Sequence, residues 1–118
     1  MADVQEKVAG ATGIALTLAG IAGFAMGSLP FFEINTLHNI VHLASGLLGI
    51  LCGFIFTVRA RDFNRYFGII YGLVGVLGFL IPDQMYNLLA INLADNLLHL
   101  VIAAVLIGVS FHFRTEAI

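Results

Sequence analysis

Asn35, His38, Asn39 and His42 are spaced i, i+3, i+4 and i+7, and Asn92, Asp95, Asn96 and His99 repeat that spacing later in the chain. In a helix this pattern gathers side chains on one face, within about 100° of arc. Each stripe runs about 10 Å along its helix and ends on a histidine, His42 or His99. His38-x-x-x-His42 and Asp95-x-x-x-His99 each set two donors one turn apart, so two such helices face to face offer three imidazoles and a carboxylate to one ion. Zinc or a similar transition metal suits that donor set. Asn39 and Asn96 would orient the ligands, and Glu33 would contribute from the outer end. The carboxylate content is too low for a Glu-rich di-iron site.

Three other uses of the stripe compete with an ion. His42 and His99, at equal depth on similar helices, have the disposition of the two axial ligands of a b-type haem or another tetrapyrrole. No Lys or Arg lies at that end to meet propionates, which places haem behind the ion. A structural or assembly subunit is the third possibility, with the stripe acting as interhelical hydrogen-bond glue. A proton or ion path is the weakest, because beyond the histidines the same faces become Gly46, Gly49, Ala103 and Leu106. Asn35 and Asn92 read as helix N-caps, with Asp95 as a reciprocal cap. With no nucleophile–base pair in the pattern, binding is the expectation rather than catalysis.

The positioning elements must sit in a membrane. Of the 118 residues, 60% are hydrophobic and 10% charged, with a mean hydropathy of +1.02, so a water-facing globular surface cannot be assembled. A net charge of −2 with five Lys and Arg excludes nucleic-acid binding on a basic face. Charges delimit four apolar runs, between Lys7 and Glu33, Glu33 and Arg59, Arg65 and Asp83, and Asp95 and Arg114. The last two hold roughly 17 to 18 uncharged residues, at the short end of the spanning range. Lys7, Arg59, Arg61, Arg65 and Arg114 fall on one side of these runs, and Glu33, Asp83 and Asp95 on the other. The positive-inside rule then predicts both termini in the cytoplasm and the polar stripe on the far side.

The chain also repeats itself. An offset of 55 residues sets Gly13, Ile14, Leu18, Gly20, Gly23 and Phe24 on Gly68, Ile69, Leu73, Gly75, Gly78 and Phe79. An offset of 57 sets Ile34, Asn35, Asn39, His42 and Leu43 on Ile91, Asn92, Asn96, His99 and Leu100. The predicted architecture is all-α: one domain over residues 1–118, an integral membrane four-helix up-down bundle of two similar tandem hairpins, about 8–59 and 64–113, related by a pseudo-two-fold axis along the membrane normal. The glycines are read as flat surfaces for close helix approach, with room for a flat cofactor as their sharper use. The connection from Pro82 to Asn92 is expected to cover the bundle's outer end. Cys52 reads as a buried small hydrophobe, Tyr71 as packing and His112 as an interfacial anchor.

The stretches Asn35-Thr-Leu-His-Asn-Ile-Val-His-Leu-Ala-Ser-Gly46 and Asn92-Leu-Ala-Asp-Asn-Leu-Leu-His99 resemble the signatures of a family of small bacterial membrane proteins, also found in cyanobacteria and catalogued only as a domain of unknown function. The resemblance covers nearly the whole chain. It implies four membrane helices in a bacterial plasma or thylakoid membrane, and it carries no mechanism. The partners expected are the lipid bilayer and a second copy or a membrane complex.

Overall fold

The computed structural model describes residues 3–27 and 32–113; Arg114, one of the cations used to orient the chain, lies outside them. Asp3 opens the first helix, α1 (Val4–Met26), with a capping box shared with Glu6, and Gly27 closes it in a left-handed conformation, φ 74°. Asn35 caps α2 (Thr36–Phe54) by accepting a hydrogen bond from the His38 backbone N–H at 2.8 Å. A single 3₁₀ turn at Thr57–Arg59 leads into α3 (Ala60–Leu80). Next come a short α4 (Pro82–Leu89), with proline in its first turn, and α5 (Leu93–His112), which starts on a capping box of Asn92 and Asp95. The asparagine caps and the reciprocal role of Asp95 are thus as expected.

Four segments, Val4–Met26, Thr36–Phe54, Thr57–Leu80 and Leu93–His112, are long and apolar enough to cross a membrane. The third is longer than its uncharged stretch because the charged residues Arg61, Asp62 and Arg65 belong to its first turns. Large apolar side chains such as Leu18, Leu80, Val101 and Phe111 point outward around the bundle, each more than half exposed. That is the surface of a helical membrane protein, whose outer face meets lipid.

Packing is closest within each hairpin, α1 on α2 and α3 on α5. The α1–α2 seam is nearly pure backbone. A side chain at Gly13 would strike the main chain of Gly46, Gly49 and Ile50, and one at Gly53 would strike Gly10. The α3–α5 seam has glycine on one side only: Gly68 faces Leu106 and Ile107, Gly72 faces Ala103, and Gly75 faces Leu100. These glycine faces are therefore filled by neighbouring helices, which is the close-approach use. Gly108 is the exception within the helices, facing open space.

The two ends of the bundle are fastened differently. At the end that carries Arg59, Arg61 and Arg65, the Arg-loop end between the second and third spans, Gln5 and Asn64 are fully buried. Asn64 donates to the Gln5 carbonyl and to its Oε1, both at 3.0 Å, while Gln5 Nε2 donates to the carbonyls of Val109 and Phe113. Arg61 donates to the Ser110 carbonyl at 2.7 Å, and the Arg65 guanidinium lies 4.3 Å from the centre of the Phe111 ring. Three helices, α1, α3 and α5, are tied there. At the opposite end α4 folds over the bundle as the expected cover, burying Met85 and Leu89 with Ile91 against Val74. Asn35 Nδ2 holds it down through the Leu88 carbonyl at 3.1 Å. The Glu33 carboxylate beside the Tyr86 hydroxyl raises that phenol's pKa above its usual value.

Candidate metal centre

The helical spacing that caps α2 at Asn35 turns His38, Asn39 and His42 toward the bundle interior, where they are 2%, 5% and 8% exposed. From α5 come Asp95, Asn96 and His99, equally buried. Three of these residues converge. Nitrogens of His38, His42 and His99, one from each, all lie within 4.8 Å of one another. Ring centroids are 4.3 Å apart for His38 and His42, 5.8 Å for His38 and His99, and 6.3 Å for His42 and His99. Tyr71 of α3 closes the group at 5.5 Å from the His99 ring, its hydroxyl 2.7 Å from that of Ser45 on α2.

The cluster is unusual in its hydrogen bonding. Both nitrogens of His38, Nδ1 of His42 and Nδ1 of His99 are buried without a hydrogen-bond partner among the described residues. The backbone of Leu89 and of Glu33 interacts with the His38 ring from the α4 side, at longer range than the hydrogen bonds described above. Buried polar atoms are nearly always satisfied, and each exception costs about 1–3 kcal/mol. Four such nitrogens gather in this one cluster, a donor set that could hold a metal ion.

The other stripe residues take different places. Asp95 is outside the histidine group: its carboxylate turns back to accept the Asn92 backbone N–H at 3.0 Å and faces the N–H of Glu33. Asn39 fits its Oδ1 into the space where a side chain at Gly23 would be, and Asn96 does the same at Gly78. Both oxygens lack a hydrogen-bond partner, and among the described residues no side-chain bond joins either amide to an imidazole. Glu33 is exposed at the rim, by α4. The interhelical hydrogen bonding expected of the stripe is concentrated instead at the Arg-loop end, on Gln5, Asn64 and Arg61. Tyr71 and Ser45 are the neighbours that sequence spacing missed, since nothing in either helix's own period links them.

Two cavities flank the histidines. A small one of about 30 Å³, lined by His38, His42, His99, Tyr71, Val74 and Leu89, has room for a single water or a small ion. A larger one of about 310 Å³ lies between α1 and α5 and ends on His42, His99 and Asp95.

A family model matches residues 6–112, from the first turn of α1 to the last residue of α5. The chain belongs to the family described as a domain of unknown function, DUF4383. The DUF4383 match takes in all three clustered histidines, both capping asparagines and the α4 cover. No curated protein and no solved structure matches the chain.

Proposed function

We propose that this DUF4383 protein is a membrane binding protein that holds a transition-metal ion, zinc or a similar borderline metal, on His38, His42 and His99. The observation that carries the reading is the set of unpartnered, buried ring nitrogens gathered within 4.8 Å. Imidazole nitrogens on a tetrahedral zinc stand about 3.4 Å apart, a separation of the same order as the 4.8 Å within which these three nitrogens lie. Three protein ligands leave a fourth position open, the pattern of exchangeable or reactive sites rather than closed structural ones. Asp95 contributes charge near the site while remaining a cap, and Asn39 and Asn96 fix how α2 and α5 rotate against α1 and α3.

Geometry favours the ion over haem. The three centroid distances set the His38 ring about 4 Å off the line joining His42 and His99 and near its mid-plane, inside the footprint of a macrocycle ligated by both. In the same reading the hairpins are pseudo-symmetric about the membrane normal, the Arg loop is cytoplasmic with both termini, and the cluster lies in the outer half of a bacterial plasma or thylakoid membrane.

The test is elemental mass spectrometry and a visible spectrum on protein purified in mild detergent without a His-tag. Support is a near-stoichiometric first-row metal that is lost in His42→Ala and in His99→Ala and kept in Asp95→Asn. A Soret band would replace the ion with haem. Metal-free protein that also fails to take up added zinc would end both.

A further inference from the structure

The two cavities beside the histidines occupy corresponding places in the repeat, and their difference in size has a definite cause. The 55-residue offset pairs Ala15, Leu16 and Ala19, which line the large cavity, with Ile70, Tyr71 and Val74, which line the small one. The 57-residue offset pairs Asp95, Leu98 and His99 with His38, Val41 and His42 in the same way. Where the second hairpin carries Ile70 and Val74, the first carries two alanines, and a space of about 310 Å³ replaces one of about 30 Å³. A volume near 300 Å³ is the lower range for small-molecule sites.

The chemistry of the large cleft limits its occupant. Its walls on α1 and α5 are apolar, and Ala15 and Leu98 at its flank are exposed on the lipid-facing side. Its inner end is polar: His42 and His99, each more than nine-tenths buried and each with Nδ1 unpartnered, stand there with Asp95. A carboxylate has acceptor sites beyond those engaged by the cap. No Lys or Arg lines the cleft, so an anionic head such as a phosphate or a fatty-acid carboxylate would meet Asp95 with nothing to neutralise it.

We infer that the cleft between α1 and α5 binds a neutral, lipid-soluble molecule of the quinol or phenol class, which enters sideways from the bilayer and sets its hydroxylated head against His42, His99 and Asp95. The apolar tail lies along Ala15, Ala19, Leu98 and Ile102. Binding here does not require the ion proposed above, although an ion on the three histidines would sit next to this head.

The experiment uses the full chain in phospholipid nanodiscs and a decyl-tailed benzoquinol bearing a diazirine in its tail, photolysed and mapped by mass spectrometry. Expected is labelling of Ala15, Ala19, Leu98 and Ile102 at least about tenfold above the lipid-facing Leu18 and Val101, competed by the unmodified quinol. Ala15→Ile with Ala19→Val installs the residues of the repeat partner and abolishes this enrichment, while protein stripped of metal by chelator keeps it. Label spread evenly over lipid-facing positions in the unsubstituted protein overturns the inference without recourse to any variant. So does equal labelling by a diazirine fatty acid of the same tail length, which would show that a neutral head is not selected. A bound metal without quinol labelling defeats this inference and leaves the ion standing; labelling without metal does the reverse.

Discussion

Replacing His42 with leucine should make the metal-free protein more stable and the zinc-loaded comparison worse. His42 is 8% exposed, and its Nδ1 is buried with no partner. An orphaned buried polar atom costs about 1–3 kcal/mol, and a leucine of similar volume removes that penalty at a packing cost of about 1 kcal/mol or less. The net expectation without metal is a gain of up to about 2 kcal/mol. Zinc at 100 times its dissociation constant stabilises the native histidine set by about 2.7 kcal/mol, and the variant, with two of three ligands, gains little. The order of the two proteins therefore reverses between chelator and zinc. Reversible unfolding in mixed micelles, followed by far-ultraviolet circular dichroism under both conditions, reads the crossing directly. A leucine variant less stable than the parent by about 1 kcal/mol or more in chelator would refute the claim that the buried ring nitrogens are unsatisfied without metal, and an unchanged order in zinc would refute the proposed ion.

The backbone seam gives a paired prediction: Gly13→Ala, which meets main chain on α2, should destabilise by about 2–3 kcal/mol, whereas Gly108→Ala, with nothing within 4 Å, should be neutral or stabilising by up to about 1 kcal/mol in the same unfolding assay. Ala90 ends α4 at φ 53°, a left-handed conformation that is costly with a Cβ, so Ala90→Gly should stabilise by about 1 kcal/mol. Gln5→Ala and Asn64→Ala should each cost about 1–3 kcal/mol by stranding buried partners. A double-mutant cycle should return a coupling of at least about 0.5 kcal/mol, and zero coupling would deny that they act as one network.

Much of this arrangement was legible because it obeys helical periodicity. The spacing of Asn35, His38 and His42 states both where α2 begins and which face turns inward, and the structure agrees on each. The run lengths and the separation of charges likewise anticipated four spanning helices. What lay hidden depends on the rotation of one hairpin against the other. His38 and Asp95 hold matching positions in the two stripes, yet only His38 joins the cluster, because the Asp95 carboxylate is drawn back to its own helix N-terminus. Gln5 and Asn64 sit in terminal turns, where polar residues ordinarily face water, and nothing local signals that they meet across 59 residues of sequence. The Ser45–Tyr71 hydroxyl pair is of the same kind.

The contrast between the two hairpin seams also has a mechanical meaning. Contact between main chains, as at Gly13, Gly46, Gly49 and Gly53, involves no torsion angle that can be reset, so α1 and α2 form a stiff beam along their shared length. The other seam runs over Leu100, Leu106 and Ile107, whose rotamers give it compliance. His38 and His42 ride on the beam and His99 on the seam of side chains, so the spacing of the histidines is set by how α5 packs against the rest of the bundle.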